Sequence, residues 1–287
     1  MLRRSPHWRR WLRRKRSRGR MGSQGIALRL QEFWEAEGCS AIPSYGSLPV
    51  GGLTPDVFFG VLGRVAWCAC QTVTIIDPSR APYGVDPLHP VIDQCLQVTQ
   101  QTSGNQLRDR FIESLQAVGL DLLARDVRFV ACEWDQPHLD VRTSGWRVLV
   151  DRIEVGSISY LHELSGVKLA PMPTRAEYSL GRLSTCVEGE DEDAPAERGR
   201  QTAAYALESV DPERIDAFLE LHAVECERAL ALGLYLPAYE HVLASVYLHL
   251  LLALHDTRSA GEQFERVSRT AGLARGCASK YLEAQDA

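Results

Sequence analysis

The spacing of apolar residues predicts two amphipathic helices in the first half of the chain. Between residues 26 and 38 apolar side chains recur every three or four positions, glutamates lie between them, and Gly38 follows as a stop signal. The same spacing extends from about Gln106 to Val118 and ends at Gly119. Each segment is therefore expected to bury one face against a sheet or another helix.

Short β-branched runs predict the strands of that sheet. They are VTII at 73–76, VRFVAC at 127–132, WRVLV at 146–150 and IEVGSISYL at 153–161. The last three follow one another with no helical pattern between them, which favours an antiparallel sheet in an α+β fold. The chain has no G-x-G-x-x-G or Walker sequence, so a Rossmann or P-loop nucleotide site is not expected.

Helical patterns return after an acidic stretch, VEGEDEDAPAERG at 187–199, which we interpret as a linker. Asp211 followed by Pro212 predicts a helix start, Gly233 ends that helix, and two more helices are expected as far as Leu282. The predicted organisation is an arm at 1–20, an α+β domain at 21–186, the linker at 187–199 and a helical domain at 200–287. The apolar run SVYLHLLLAL at 245–254 is too short to cross a membrane, so no membrane partner is expected.

Charge is distributed unevenly along the chain. Residues 1–20 hold ten of the 32 lysines and arginines and no acid, which leaves 22 basic and 37 acidic residues in the remainder. Such an arm suits RNA phosphates, but Met21 followed by Gly22 and Ser23 is typical of a translation start, which would exclude the arm from the protein. The acidic remainder is unsuited to bind tRNA without a partner. Eight cysteines without a C-x-x-C pair predict reduced thiols in the cytoplasm.

Arg80 is the first candidate for chemistry. It lies in IIDPSRAPYG, where the strand ending at Ile76 gives way to the turn residues Pro78, Pro82 and Gly84. A guanidinium at the end of a strand suits a phosphate or a carboxylate.

A series of segments in fixed order resembles the α subunit of the bacterial two-subunit glycyl-tRNA synthetase, a class II enzyme. The segments are LQEFWEAEGC (30–39), DPSRAPYG (77–84), FIESLQAVGLD (111–121), DVRFVACEWDQP (126–137), GWRVLVDRIEV (145–155), YSLGRL (178–183) and LPAYEHVL (236–243). The resemblance implies an α+β class II catalytic domain, with an antiparallel sheet flanked by helices, followed by a C-terminal helical bundle. It also implies the use of ATP and Mg²⁺.

The same resemblance assigns roles to individual residues. Arg80 and Arg182 become catalytic residues that bind ATP, and His89 is a further ATP contact. Glu154, Gly156, Ser157 and Ser159 correspond to the strand that lines the amino-acid pocket, and Glu154 and Glu177 are the candidate Mg²⁺ ligands. Gly156 replaces a threonine of the family pattern, which is expected to enlarge the pocket.

Two further departures from the family pattern shape the functional expectation, because Ala81 stands in place of a second arginine and Gly181 in place of a glutamate. The first expectation is a divergent enzyme that activates glycine or another small amino acid as its adenylate and transfers it to an acceptor in a specialised biosynthetic pathway. The acceptor is expected to be either tRNA, with a β-type subunit, or a small-molecule amine or a carrier protein. The alternatives are a glycine–tRNA ligase α subunit that works with a β subunit on tRNA, and a non-catalytic paralogue that binds ATP or an amino acid. A homodimer is expected through the apolar segment at 48–62.

Overall fold

The computed structural model describes residues 21–63, 66–83, 86–101, 106–189, 196–255 and 258–286. The predicted arm at 1–20 lies outside these ranges, as do Gly84 and the middle of the predicted linker, 190–195. None of the helices in these ranges has the length and apolar character that crossing a membrane requires.

Helices flank the sheet and make up most of the C-terminal third. They are α1 (Gly22–Ala36), α2 (Pro55–Leu62), α3 (Leu107–Ala117), α4 (Leu180–Glu188), α5 (Ala196–Ala204), α6 (Pro212–Ala231), α7 (Tyr235–Leu252) and α8 (Ala260–Asp286). The predicted start of α6 is confirmed: the Asp211 carboxylate accepts hydrogen bonds from the backbone N–H groups of Glu213 and Arg214, and Pro212 opens the helix. Helices α4 and α5 extend into the segment predicted as a linker, so its two ends are helical.

Nine strands in the described part of the chain form one sheet. They are β1 (Ser40–Ala41), β2 (Tyr45–Pro49), β3 (Trp67–Ile76), β4 (Ile92–Gln101), β5 (Val127–Gln136), β6 (Val141–Val150), β7 (Ile153–Leu164), β8 (Val167–Lys168) and β9 (Thr174–Ser179). The main order is β1-β3-β4-β9-β7-β6-β5, and every pair from β3 to β5 is antiparallel. The α+β prediction is confirmed, although the short β1 and β2 add to β3 in parallel and make the sheet mixed.

The two faces of the sheet have different roles. One face packs under α1, α3 and α4 in a core that includes Trp34, Phe111, Ile158 and Tyr178. In β7 the residues on this face are apolar, whereas Ser157 and Ser159 alternate with them and point the other way. The second face is therefore available to carry polar groups.

The C-terminal helices share a core with the sheet. Tyr239 on α7 is buried against Phe58 of α2, with ring centroids 4.1 Å apart, and its hydroxyl donates to the Leu53 carbonyl. Leu48, Leu53 and the apolar residues of α2 are thus buried within the chain itself. These contacts explain why segment 48–62 is apolar. The expected homodimer was based on that apolar character, so the segment no longer supports a dimer.

The expectation that all cysteines are reduced is wrong for one pair. Cys39, which follows α1, and Cys68 at the start of β3 form a disulfide. Parallel pairing of β1 with β3 brings these two positions together, because Ser40 lies opposite Ala69. The other six cysteines are free thiols.

Candidate functional site

A cavity of about 540 Å³ opens at the carboxyl end of β3. It is lined by Asp77, Ser79, Arg80, Tyr83, Leu88, His89, Arg147, Leu149, Arg152, Ile153, Glu154 and Arg182. These residues come from the turn after β3, from the loop before β4, from the β6–β7 hairpin and from α4. The structure therefore brings together four predicted site residues, Arg80, His89, Glu154 and Arg182.

Arg80 is held by the short 3₁₀ turn that follows β3. The turn runs over Pro78–Tyr83, and its entry is fixed by Asp77, whose carboxylate accepts hydrogen bonds from the backbone N–H of Ser79 and from Arg80 Nε at 3.1 Å and 3.0 Å. Arg80 Nη1 is buried and has no partner among the described residues. A buried guanidinium nitrogen without an acceptor costs free energy unless a ligand supplies one.

Arg182 reaches the same cavity from a different element. β9 ends at Ser179, α4 begins at Leu180, and Arg182 lies in its first turn. Its Nη2 donates to Asp93 Oδ2 at 3.0 Å, and Ser179 Oγ donates to Asp93 Oδ1 at 2.8 Å. Asp93 is on β4, so two strands and one helix fix this guanidinium, which is almost wholly buried.

His89 lies in the loop that leads into β4. Its Nδ1 is 2.8 Å from Asp86 Oδ2, and its ring stacks on Tyr83 with centroids 4.7 Å apart. The hydrogen bond with His89 holds the pKa of Asp86 below its ordinary value. The imidazole therefore has a fixed orientation at the rim of the cavity.

The β6–β7 hairpin supplies the remaining charged groups. Glu154 Oε2 is 3.5 Å from Arg147 Nη1 across the two strands. The hairpin turn consists of Asp151 and Arg152, whose φ angles are 49° and 71°. Arg152 is exposed, lines the cavity and forms no side-chain ion pair or hydrogen bond with another described residue.

The lining is positively charged. It contains four arginines and two carboxylates, Asp77 and Glu154, each of which is paired with an arginine of the lining. Because arginines remain charged at any physiological pH and form flat pairs of donors, such a cavity suits a phosphate or a carboxylate.

A row of polar side chains crosses the second face of the sheet beside the cavity. In register, Gln97 on β4 lies opposite Glu177 on β9, Glu177 opposite Ser157 on β7, and Ser157 opposite Arg147 on β6. Directly opposed residues point to the same side of a sheet. The row therefore ends at an arginine that lines the cavity.

A second row lies next to it, formed by Thr99, Arg175 and Ser159. Glu177 Oε2 accepts hydrogen bonds from Gln97 Nε2 at 2.7 Å and Arg175 Nη2 at 3.0 Å. Gln97 Oε1, Thr99 Oγ1 and Arg175 Nε are buried and have no partner among the described residues. Unsatisfied donors and acceptors of this kind on one face suit a small polar ligand.

Gly156 does not enlarge this site, contrary to the expectation. A Cβ at this position would lie 2.1 Å from the Glu177 carbonyl oxygen and 3.2 Å from Phe111 Cζ, on the helix-covered face. A β-bulge after Glu154 shifts the alternation of β7, so Glu154 lines the cavity while Gly156 points to the core. Glycine is required here by close packing between strands.

The expected metal ligands do not form a dedicated metal site. Glu154 lines the cavity, whereas Glu177 is engaged by Gln97 and Arg175 and is not part of the lining. In the described ranges no three His, Cys, Asp or Glu side chains come together as a metal-binding group. The residues present do not fit a protein-built Mg²⁺ site.

Several residues of the site were absent from the sequence predictions, among them Asp93, Arg147 and Arg152. Arg147 and Arg152 lie in RVLVDRIE at 147–154, where two short apolar runs flank the charged pair Asp151 and Arg152. A two-residue hairpin turn next to Glu154 was the available signal. Asp93 gave no signal, because its role depends on pairing between β4 and β9.

Comparison with known proteins gives consistent matches over nearly the whole chain. The family described as "Glycyl-tRNA synthetase alpha subunit" matches residues 23–286. The glycine–tRNA ligase alpha subunit of Rickettsia prowazekii (strain Madrid E) is 30% identical over 288 residues, covering 92% of this chain and 98% of that protein. The protein of the same name from Petrotoga mobilis (strain DSM 10674 / SJ95) is 25% identical over 278 residues, covering 92% and 97%.

Proposed function

The chain belongs to the glycyl-tRNA synthetase alpha subunit family, and from this premise we propose that it is the α subunit of a glycine–tRNA ligase. It activates glycine with ATP and transfers the glycyl group to tRNA together with a β subunit. The names of its relatives favour this function over transfer to an amine or a carrier protein, because those relatives are ligases that act on tRNA.

The proposal depends on one observation: Arg80 and Arg182, which belong to separate elements, line the same cavity. In the activation step a carboxylate oxygen of glycine attacks the α-phosphorus of ATP. The new oxygen–phosphorus bond replaces the bond to the β-phosphate, and pyrophosphate leaves. Two anions must approach each other, so fixed guanidinium groups stabilise the transition state.

We assign the two arginines to different parts of ATP. Arg80 has an unpaired, buried Nη1 at the end of β3 and is placed to bind the α-phosphate and the glycine carboxylate. Arg182, held by Asp93, offers a guanidinium plane for the adenine and charge for the outer phosphates. His89, stacked on Tyr83, forms the remaining ATP contact at the rim.

We place glycine beside Glu154, over the polar rows that contain Ser157 and Ser159. Glu154 would accept the ammonium group, and the serine hydroxyls with Gln97 and Arg175 would hydrogen-bond the polar atoms of a small zwitterion. Since Gly156 offers no free volume, the pocket has no added space there for a larger side chain. Glycine, which the names of the relatives give as the substrate, is therefore the amino acid we propose.

Mg²⁺ would enter with ATP. The cation is usually held largely by substrate phosphates, which agrees with a cavity in which we assign Glu154 to the ammonium group. A β subunit would supply tRNA binding, because residues 21–287 carry 22 basic and 37 acidic groups and are repelled by phosphates.

Pyrophosphate exchange tests the activation step. The purified chain, alone and mixed with a β subunit, should incorporate labelled pyrophosphate into ATP with glycine and far less with alanine or serine. Arg80→Ala should lower the exchange rate by about a hundredfold or more, whereas Arg275→Ala, which removes an exposed arginine paired with Asp140, should not. Glycyl-tRNA should form when both subunits are present. Exchange that is equal for the three amino acids would contradict the glycine assignment.

A further inference from the structure

We infer that Arg152 binds the outer phosphates of ATP, an inference that rests on the proposed function. Four arginines line the cavity, and three of them are paired: Arg80 with Asp77, Arg147 with Glu154, and Arg182 with Asp93. Among the described residues Arg152 has no such partner. In the lining, its charge is the one that no carboxylate of the described residues offsets at close range.

The backbone at Arg152 supports a functional role. Its φ of 71° lies in the left-handed region, where an arginine costs free energy and glycine does not. Asp151 and Arg152 form the whole turn between β6 and β7, and glycine and asparagine are the residues that such turns favour. An arginine in an unfavourable conformation at the rim of a cationic cavity supports a functional role for its side chain.

The position of Arg152 indicates which part of the nucleotide it contacts. Arg182 and the Nη1 atom of Arg80 are buried, whereas Arg152 is exposed at the rim. The β- and γ-phosphates carry most of the charge of ATP and leave together as pyrophosphate. A solvent-exposed, unpaired guanidinium suits that end of the molecule, and it would stabilise the leaving group without blocking its release.

The Arg152→Gly substitution distinguishes a loss of ATP binding from a loss of stability, because it should weaken ATP binding while leaving stability unchanged or higher. The variant should bind ATP about tenfold more weakly by calorimetry, bind AMP with unchanged affinity, and melt at the same temperature as the wild type or higher. Arg142→Ala is the matched control: it removes an arginine of the same hairpin, loosely paired with Glu163 and outside the cavity, and should leave both affinities unchanged.

The possible results separate this inference from the proposed function. Equal ATP affinity of the wild type and Arg152→Gly would overturn the inference and leave the proposed function intact. Equal weakening of ATP and AMP would also overturn it, because the contact would then be at the α-phosphate or the nucleoside. A wild-type chain that does not bind ATP, alone or with a β subunit, would overturn both.

Discussion

Asp93 shows how one residue can set the geometry of a cavity that it does not line. It is buried beneath the cavity and accepts one hydrogen bond from Ser179 and one from Arg182. Burial raises the pKa of Asp93, and the charge of Arg182 and the Ser179 hydroxyl oppose that rise. The carboxylate and the guanidinium therefore depend on each other, and Asp93 is a positioning residue for Arg182.

Asp93→Asn tests this dependence. The amide keeps the volume but removes the charge, so Arg182 should lose its fixed orientation while the fold remains. A hydrogen bond to a charged group contributes about 1.5–3 kcal/mol, and we expect ATP-dependent exchange to fall about tenfold to a hundredfold, with the KM for ATP raised. Asp121→Asn, an exposed loop carboxylate that accepts from the Leu123 N–H, is the control. Unchanged kinetics with a lower melting temperature would assign Asp93 to stability alone.

At the scale of the element, β7 shows why spacing along a strand can mislead. Simple alternation puts Glu154 and Gly156 on one face, but the bulge between them sends Gly156 to the core. Alternation is restored beyond the bulge, so Ser157 and Ser159 return to the polar face. A bulge depends on pairing with both neighbouring strands, and a single sequence does not reveal it.

Two glycine substitutions test the packing of these elements, because one should lower the free energy of unfolding and the other should leave it unchanged or raise it. Gly156→Ala should destabilise the chain by about 1–3 kcal/mol, because its Cβ would meet the Glu177 carbonyl oxygen of the adjacent strand. Gly181→Ala should be neutral or stabilising, since a Cβ there has no atom within 4 Å and the residue lies in the first turn of α4. Urea denaturation of both variants provides the measurement. Equal stability of Gly156→Ala and the wild type would show that β9 can move away.

The elements were predictable where periodicity and stop signals agree. The start of α6 at Asp211 and Pro212 follows from local chemistry, and the four predicted β-branched runs lie in β3, β5, β6 and β7, whereas the central strands β4 and β9 were not predicted. Ala81 illustrates the limit. It stands where the family pattern has a second arginine, yet its side chain is buried with Val91 and Leu248, so the position faces the C-terminal helices rather than the cavity. Such tertiary surroundings cannot be read from the order of residues.

At the scale of the whole molecule, the sheet and the C-terminal helices share one core. An acidic stretch at 187–199 predicted a boundary between two domains, but one core contains Val73 and Leu161 of the sheet together with Tyr239, Val242 and Leu273 of the C-terminal helices. Residues that are far apart in sequence bury each other, and composition gives no sign of this. We therefore expect the sheet and the C-terminal helices to unfold together in one transition.

A histidine pair between the sheet and the C-terminal helices, with His138 half-buried and His249 buried, should make that transition depend on pH. His138, in the loop between β5 and β6, lies against His249 of α7 with ring centroids 4.8 Å apart, and His249 Nε2 is 2.8 Å from Thr270 Oγ1 of α8. Burial lowers the pKa of His138 to about 4, and burial, together with repulsion from His138 and Arg266, lowers the pKa of His249 to about 3. In the folded chain both rings therefore stay neutral at pH values where the unfolded chain protonates them.

The sign of the effect follows from linkage. Because the folded pKa values lie below the ordinary value of 6.5, the stability that the neutral pair contributes is complete above pH 6.5 and is lost as the pH decreases from 6.5 toward 4. The slope is about 1.4 kcal/mol per pH unit for each histidine. His249→Gln should flatten this dependence in melting curves recorded from pH 7.5 to 4.5, whereas His162→Gln, an exposed histidine that bonds Ser144, should not. If the sheet and the C-terminal helices melted at different temperatures as the pH falls, they would not form a single folding unit. If the pH dependence of stability were unchanged in His249→Gln, the histidine pair would be excluded as the cause of that dependence.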